Sequence, residues 1–289
     1  MSRTGGLILS TVQTILTVLS GGVVGLSLGL LGGGGSILAV PLLLYVVGLH
    51  DPHLVIGTTA LAVSLNSYIN LIPHWKAGHV HWKAAILFAI PGAVGAFGGS
   101  TLGKIVHGQE LLFMFALLMM VIAVIMLRRR GRDSAPEIAA GSGATADISL
   151  VKSRVRPDWG NVHVRAARVI PAGLLVGAIS GFFGIGGGFL IVPGLLFSTD
   201  MPMIIAIGSS LFAVGTFGLT TAVNYALSGL VSWTVMAEYV AGGIVGGVIG
   251  ARLATRLSHL KGVLNYIFAA VVIAVAIYML YMNFHAIHG

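Results

Sequence analysis

The sequence predicts an all-α integral membrane protein, built as two inverted repeats of about five apolar segments each, with glycine-broken short helices at the centre. Three observations carry this expectation. Of 289 residues, 56% are hydrophobic and only 8% are charged, where a soluble domain carries about 25% charge. That leaves too little polar surface to coat a water-soluble globule, and the mean hydropathy is +0.99. The apolar residues fall into ten segments, in two sets of five. Finally, a run of four glycines, Gly32 to Gly35, interrupts membrane-length apolar sequence and has a matched copy in the second half.

The first set of segments covers roughly 9–31, 36–49, 54–72, 83–103 and 110–127. The second covers roughly 167–183, 187–198, 204–227, 232–254 and 262–283. About 20 residues at 1.5 Å rise cross a 30 Å hydrocarbon layer, and most segments reach that length. The second member of each set does not. The N-terminal apolar core is longer than a signal-peptide h-region and no small-residue cleavage pattern follows it, so it reads as the first span.

Gly25 to Pro41, GLSLGLLGGGGSILAVP, aligns without a gap on Gly177 to Pro193, GAISGFFGIGGGFLIVP, with eight of seventeen positions identical. Both short segments follow these glycine breaks and contain the shared proline. The duplication continues beyond them: Ile56-Gly57-Thr58-Thr59 matches Ile207-Gly208-Ser209-Ser210, and Gly78 and Trp82 match Gly229 and Trp233. Gly92, Gly95, Gly99 and Leu102 likewise match Gly243, Gly246, Gly250 and Leu253. Self-similarity over this much of the chain predicts two similar halves. The expected organisation is a first membrane repeat over 1–127, a basic flexible cytoplasmic linker over 128–165 and a second membrane repeat over 166–289. The linker is polar, rich in Ala, Gly and Ser, and basic at both ends, a composition that stays extended and lies against anionic lipid head groups.

The net charge of +8 follows the positive-inside pattern rather than a nucleic-acid footprint. Basic residues gather at Lys76/Lys83, at the linker, and at Arg252/Arg256/Lys261. Placing all three clusters in the cytoplasm requires an odd number of segments per repeat. The repeats are then inverted and both termini lie outside. The glycine breaks are either two crossings or a re-entrant hairpin; both give the same parity.

Unwound backbone in hydrocarbon is tolerated where it is buried in protein or lines a wet cavity. A helix that restarts after such a break turns free N–H groups and its positive dipole end toward that cavity, where an anion can sit. Inverted repeats with broken helices near the midplane are the pattern of secondary transporters. The competing account is that the glycines merely permit tight helix crossing. No Lys-Ser/Thr follows the glycines, so they are not a phosphate-binding P-loop.

The expected binding residues are Gly33, Gly34, Gly35 and Ser36 at the first break and Gly186, Gly187 and Gly188 at the second. Thr58, Thr59, Asn66, Ser209, Ser210 and Asn224, on the most polar segments, complete the set. Neutral hydroxyls and amides can donate to an oxyanion at little insertion cost, although helix-to-helix hydrogen bonding uses the same residue types. The stripes Gly95/Gly99/Gly103 and Gly242/Gly246/Gly250 read as packing faces. Glu238, the carboxylate well inside an apolar segment, is the candidate for a coupling ion, with an interfacial glutamate as the alternative. His74, His79 and His81 read as loop residues, because no carboxylate or cysteine joins them as a metal ligand. Lys83, Lys104 and Arg252 near span ends read as snorkelling side chains. Neither a serine/histidine/acid set nor a nucleotide motif appears, so no enzyme, cofactor or metal is expected.

Taken together, the paired glycine breaks with their prolines, the G-T-T/G-S-S pair and the tryptophan-led glycine-rich helix resemble the sulfite exporter TauE/SafE family of bacterial membrane permeases. The resemblance covers nearly the whole chain apart from the linker. It implies a multi-pass protein of the cytoplasmic (inner) membrane that moves sulfite, an organosulfonate or a related small sulfur oxyanion outward. It also implies coupling to a proton or sodium gradient. Gly32–Ser36, Gly184–Gly188, Pro41, Pro193, Thr58, Thr59, Ser209 and Ser210 are the central site that it implies. The expected partners are the anion, the coupling ion and membrane lipid, with no nucleic acid and with an oligomer left open. The alternatives are an importer of another small anion or solute, or a membrane subunit without its own cargo.

Overall fold

A computed structural model describes residues 10–129, 166–186, 188–199, 201, 203–256 and 261–288. Most of the expected linker, 130–165, lies outside these. Every regular element among the described residues is helical. In the first half, α1 spans Thr11–Leu31 and passes into a 3-10 stretch, Gly32–Leu38. A single helical turn, α2 (Ala39–Pro41), and a π turn, Leu42–Val46, follow. Then come α3 (Pro52–Lys76), α4 (Trp82–Gly103) and α5 (Gly108–Arg129). The second half holds α6 (Ala166–Phe183), α7 (Gly188–Ser198), α8 (Met203–Ala226), α9 (Trp233–Arg256) and α10 (Lys261–His288). Each of the ten expected apolar segments is found, the second as a composite of the 3-10 stretch, α2 and the π turn.

Local chemistry sets the boundaries. Asp51 caps α3, its carboxylate accepting from His53 N–H at 3.0 Å and Leu54 N–H at 3.2 Å, with Pro52 at the first helical position. The carboxylate satisfies two donors that a helix start leaves open, and the proline has none to leave open. α3 and α8 stop in the same way, at Gly78 and Gly229, whose successors return their N–H groups to His74 O and Tyr225 O in the Schellman pattern.

Six helices are long and apolar enough to cross a membrane among the described residues: α1, α3, α4, α6, α8 and α9. α3 and α8 are the inner pair. Buried residues fill 72% of their membrane-length windows, against 33–44% in the other four. The outward faces carry large apolar side chains such as Ile90, Val94, Leu175 and Val245, suited to acyl chains rather than water.

The packing exchanges helices between the halves. α1 pairs with α9 and α4 pairs with α6, while α3 meets α8 and α5 meets α10. In the α1/α9 pair, Gly21 meets Tyr239, Gly25 meets Gly243 and Gly250 meets Leu26, so the two helices run parallel. In the α4/α6 pair, Gly173 meets Phe88, Gly177 meets Gly92, Gly181 meets Ala96 and Gly103 meets Phe182, again parallel. The stripes expected to be packing faces are packing faces. α3 and α8 run in opposite directions: Gly57 touches Tyr225, Ser64 bonds to Gly215 and Tyr68 lies beside Phe212. The Ser64 hydroxyl donates to the Gly215 carbonyl at 2.6 Å, and these two residues are 151 positions apart, equivalent places in the two halves.

Candidate functional site

The two glycine breaks reverse the chain by different means. In the first, the chain folds back so that Gly35 presses on Ser27 and the Leu28 backbone of α1. Its backbone stays within 3-10 turns, then loosens into the π turn, where Val47 N–H returns to Leu42 O at 3.1 Å. In the second, Gly184 and Gly186 take left-handed φ of 66° and 65°, and a new helix begins at Gly188. Gly187 lies outside the described residues. The expectation of a restarting helix N-terminus is therefore met at the second break, whereas the first pairs its N–H groups locally. The cause is composition: consecutive glycines can tighten to three residues per turn without eclipsing side chains. In the second copy Ile185 interrupts the run, buries its side chain, and forces its neighbours into conformations that glycine tolerates.

Both breaks reach the interior. A Cβ built on Gly186 would lie 3.3 Å from Val63 and 3.4 Å from Val214, beside the midpoints of α3 and α8. The 3-10 stretch holding Gly33, Gly34, Gly35 and Ser36 packs on α7 and on α8. Ser36, Thr58, Thr59, Asn66, Ser209, Ser210 and Asn224 are all buried, so the polar residues singled out in the sequence line the inside of the bundle.

Their hydrogen bonds sort them. Thr58 donates to Leu54 O and accepts the backbone N–H of Ser232 at 2.9 Å. Its counterpart Ser209 accepts the N–H of His81, also at 2.9 Å. Each thus pins the loop before the fourth helix of the opposite half, α9 or α4. Thr59 donates to Val55 O at 2.8 Å and Ser210 to Ile207 O at 2.7 Å, within their own helices. Thr58→Val is expected to strand the buried Ser232 N–H and to cost about 1–3 kcal/mol, read as a lowered midpoint of thermal unfolding in detergent.

Asn224 is fully engaged. Its amide donates to Ser100 Oγ at 2.6 Å and Thr101 Oγ1 at 2.9 Å. Lys104 does not snorkel outward; its ammonium turns inward to Asn224 Oδ1 at 2.8 Å and Ser228 Oγ at 2.9 Å, tying α4 to α8. Asn66 is the opposite case: fully buried, with neither amide atom partnered. Glu238 accepts from Thr14 Oγ1 at 3.1 Å through Oε1, while its buried Oε2 has no partner. His81 is used as the α4 cap, Nδ1 accepting from Ala84 N–H at 3.2 Å. The His74 and His79 rings lie 6.1 Å apart and tilted by 58°. Sequence reasoning passed over Tyr239 and Tyr225, both fully buried with unpartnered hydroxyls.

A family model described as "Sulfite exporter TauE/SafE" matches residues 17–279. The chain belongs to the TauE/SafE family. A probable membrane transporter protein of Xylella fastidiosa is 51% identical to this TauE/SafE protein over 274 residues, covering 94% of this chain and 97% of the relative. The probable membrane transporter protein YunE of Bacillus subtilis is 26% identical over 238 residues, covering 79% and 84%. A probable membrane transporter protein of Haemophilus influenzae is 26% identical over 234 residues, covering 79% of each. No solved structure matches. Family, relatives and apolar helices agree on a multi-pass membrane transporter of the TauE/SafE type.

Proposed function

We propose that the protein is a secondary transporter that exports a small sulfur-containing anion, such as sulfite or an organosulfonate, across the bacterial cytoplasmic membrane. Alternating access turns on a central site at the two glycine breaks. The observation that carries this reading is that Gly186 of the second break lies beside the midpoints of α3 and α8, while the first break packs on α8, in a bundle whose interior holds buried hydroxyls and amides. Among these residues the Asn66 amide has no protein partner and is a donor that can serve a monoanion that must also leave. The sulfur chemistry comes from the family's description.

In this reading the repeats, 1–127 and 166–289, are inverted about the Ser64–Gly215 contact. Support comes from the antiparallel run of α3 and α8 and the parallel pairing of α1 with α9 and α4 with α6. The basic linker and the Lys76–Lys83 loop face the cytoplasm by the positive-inside rule, and both termini face out. Glu238 carries the coupling proton: it sits on a membrane-length helix, and its unpartnered Oε2 is a place for one. Acids in such positions are commonly parts of ion pathways.

The experiment is flux of labelled sulfite and sulfoacetate into and out of proteoliposomes, with and without a proton gradient. The expected result is flux above that of empty vesicles, increased by an imposed gradient. No stimulation by any sulfur anion in either direction overturns the reading, and gradient-driven uptake without efflux replaces the exporter by an importer.

A further inference from the structure

The two halves are not chemically equivalent where they should be. Asn66 occupies the place of Phe217, Ser67 that of Gly218, Tyr239 that of Phe88 and Glu238 that of Leu87, all at the 151-residue spacing marked by Ser64 and Gly215. On one side α4, α6 and α8 meet, with apolar residues at these four places, although Ser180 Oγ of α6 and Thr221 Oγ1 of α8 are also buried without a partner. Here Phe88 and Phe217 stack with ring centroids 6.0 Å apart, and Gly92 makes room for the Phe217 ring. On the other lies the junction of α1, α3 and α9. There Gly243, the equivalent of Gly92, makes room for the Asn66 amide instead. Tyr239 stands one helical turn before Gly243 and replaces the phenyl ring of Phe88.

All four polar residues at these places carry buried atoms without a hydrogen-bond partner: both amide atoms of Asn66, Ser67 Oγ, Tyr239 Oη and Glu238 Oε2. Asn66 and Tyr239 are entirely enclosed. Buried polar groups are nearly always paired, because leaving one unpaired forfeits its hydration. A membrane protein that needed this junction only for packing has a ready solution in its own other half, the phenylalanine pair. The polar version is retained where it has something to bind.

We propose that the cargo is held off the pseudo-axis, in the α1–α3–α9 junction, with the Asn66 amide and the Tyr239 hydroxyl contacting it directly. The proposal rests on the transport reading above, moves the cargo from the glycine breaks into this neighbouring junction, and names the ligand chemistry there. Asn66 Nδ2 and Tyr239 Oη donate to anion oxygens, while Asn66 Oδ1 can only accept and therefore favours a ligand that brings a hydrogen of its own. Doubly charged anions lose far more hydration energy on entering a low-dielectric site than singly charged ones. The ligand class is a singly protonated oxyanion, of which hydrogensulfite is the sulfur example.

The test is a thermal-shift and equilibrium-binding titration of the full chain in detergent with hydrogensulfite, methanesulfonate and sulfate, beside liposome flux. Variants are Tyr239→Phe, Asn66→Leu and, on the other side, Phe88→Leu. Hydrogensulfite is expected to bind best and sulfate least. Tyr239→Phe should weaken hydrogensulfite about tenfold, the worth of one hydrogen bond to a charged group. Without anion it should melt no lower than the parent, because the hydroxyl has no protein partner to lose. Asn66→Leu should weaken binding at least as much, and Phe88→Leu should leave it unchanged.

Equal affinities in parent and Tyr239→Phe, sulfate binding as tightly as hydrogensulfite, or a Tyr239→Phe protein that melts several degrees lower without anion would each overturn the junction site. If the parent moves anions and the variants do so equally, the transport reading stands and this site falls. If the parent neither binds nor moves any of the three, both fall.

Discussion

Gly177→Val is expected to yield little or no folded protein. A side chain at Gly177 would start inside the Gly92 carbonyl on the neighbouring helix, so two backbones are in direct contact and no flexible side chain can yield. Ordinary overpacking of a core costs about 1–3 kcal/mol where side chains can rearrange. With main chain on both sides the cost should exceed about 3 kcal/mol, a large part of the roughly 5–15 kcal/mol that holds a typical fold. The measurement is the fraction of monodisperse protein on size exclusion in detergent, with the unfolding midpoint of whatever remains. Gly98→Ala is the control. It lies on the partner helix, α4, faces open space with nothing within 4 Å of the added methyl, and should express and melt like the parent. Gly25→Val should fail like Gly177→Val, because Gly25 stands equally close to Gly243.

Glu238→Gln is expected to separate transport from its driving force. The amide keeps the shape and can still accept from Thr14 Oγ1, as the carboxylate does at 3.1 Å, but it cannot take up and release a proton. A gradient of about 1.7 pH units supplies about 2.3 kcal/mol per proton, enough for a concentration ratio of roughly fifty. In proteoliposomes with an imposed proton gradient, the parent should accumulate anion toward that ratio. Glu238→Gln should equilibrate it without accumulation while retaining downhill exchange. Accumulation by the variant equal to the parent would return Glu238 to an interfacial role.

Much of this architecture was legible before any coordinates. Membrane-length apolar runs and their glycine interruptions gave all ten pieces within a few residues. The spacing of Gly95, Gly99 and Gly103 identified a packing face, because only a helix brings every fourth residue into one line. The candidate site was legible in part. The duplicated Thr58-Thr59 and Ser209-Ser210 pairs are buried as expected, yet the first member of each holds a loop N–H of the other half. Nothing in sequence separates that use of a hydroxyl from binding a ligand. The unlike geometry of the breaks depended on one residue, Ile185 within the second glycine run. Lys104 was misread because a lysine at a span end usually reaches for head groups, and its inward acceptors, Asn224 and Ser228, are more than a hundred residues away. Tyr239 was passed over because likeness between the halves had drawn all the attention. The informative signal was unlikeness: a hydroxyl and an amide standing where the duplicate has two phenyl rings.

The exchange of partners between halves also decides what can swing as a piece. α1 and α9 are joined main chain to main chain, as are α4 and α6, so neither duplicated half is a rigid body in its own right. The jaws are hybrids: α1, α3 and α9 on one side, α4, α6 and α8 on the other, each drawing helices from both ends of the gene. In the proposed mechanism they would move against each other along α3 and α8, where the Ser64–Gly215 and Tyr68–Thr216 hydrogen bonds cross the seam. Cutting the chain between the halves would leave both jaws whole, whereas expressing either half alone would leave each jaw without its mate.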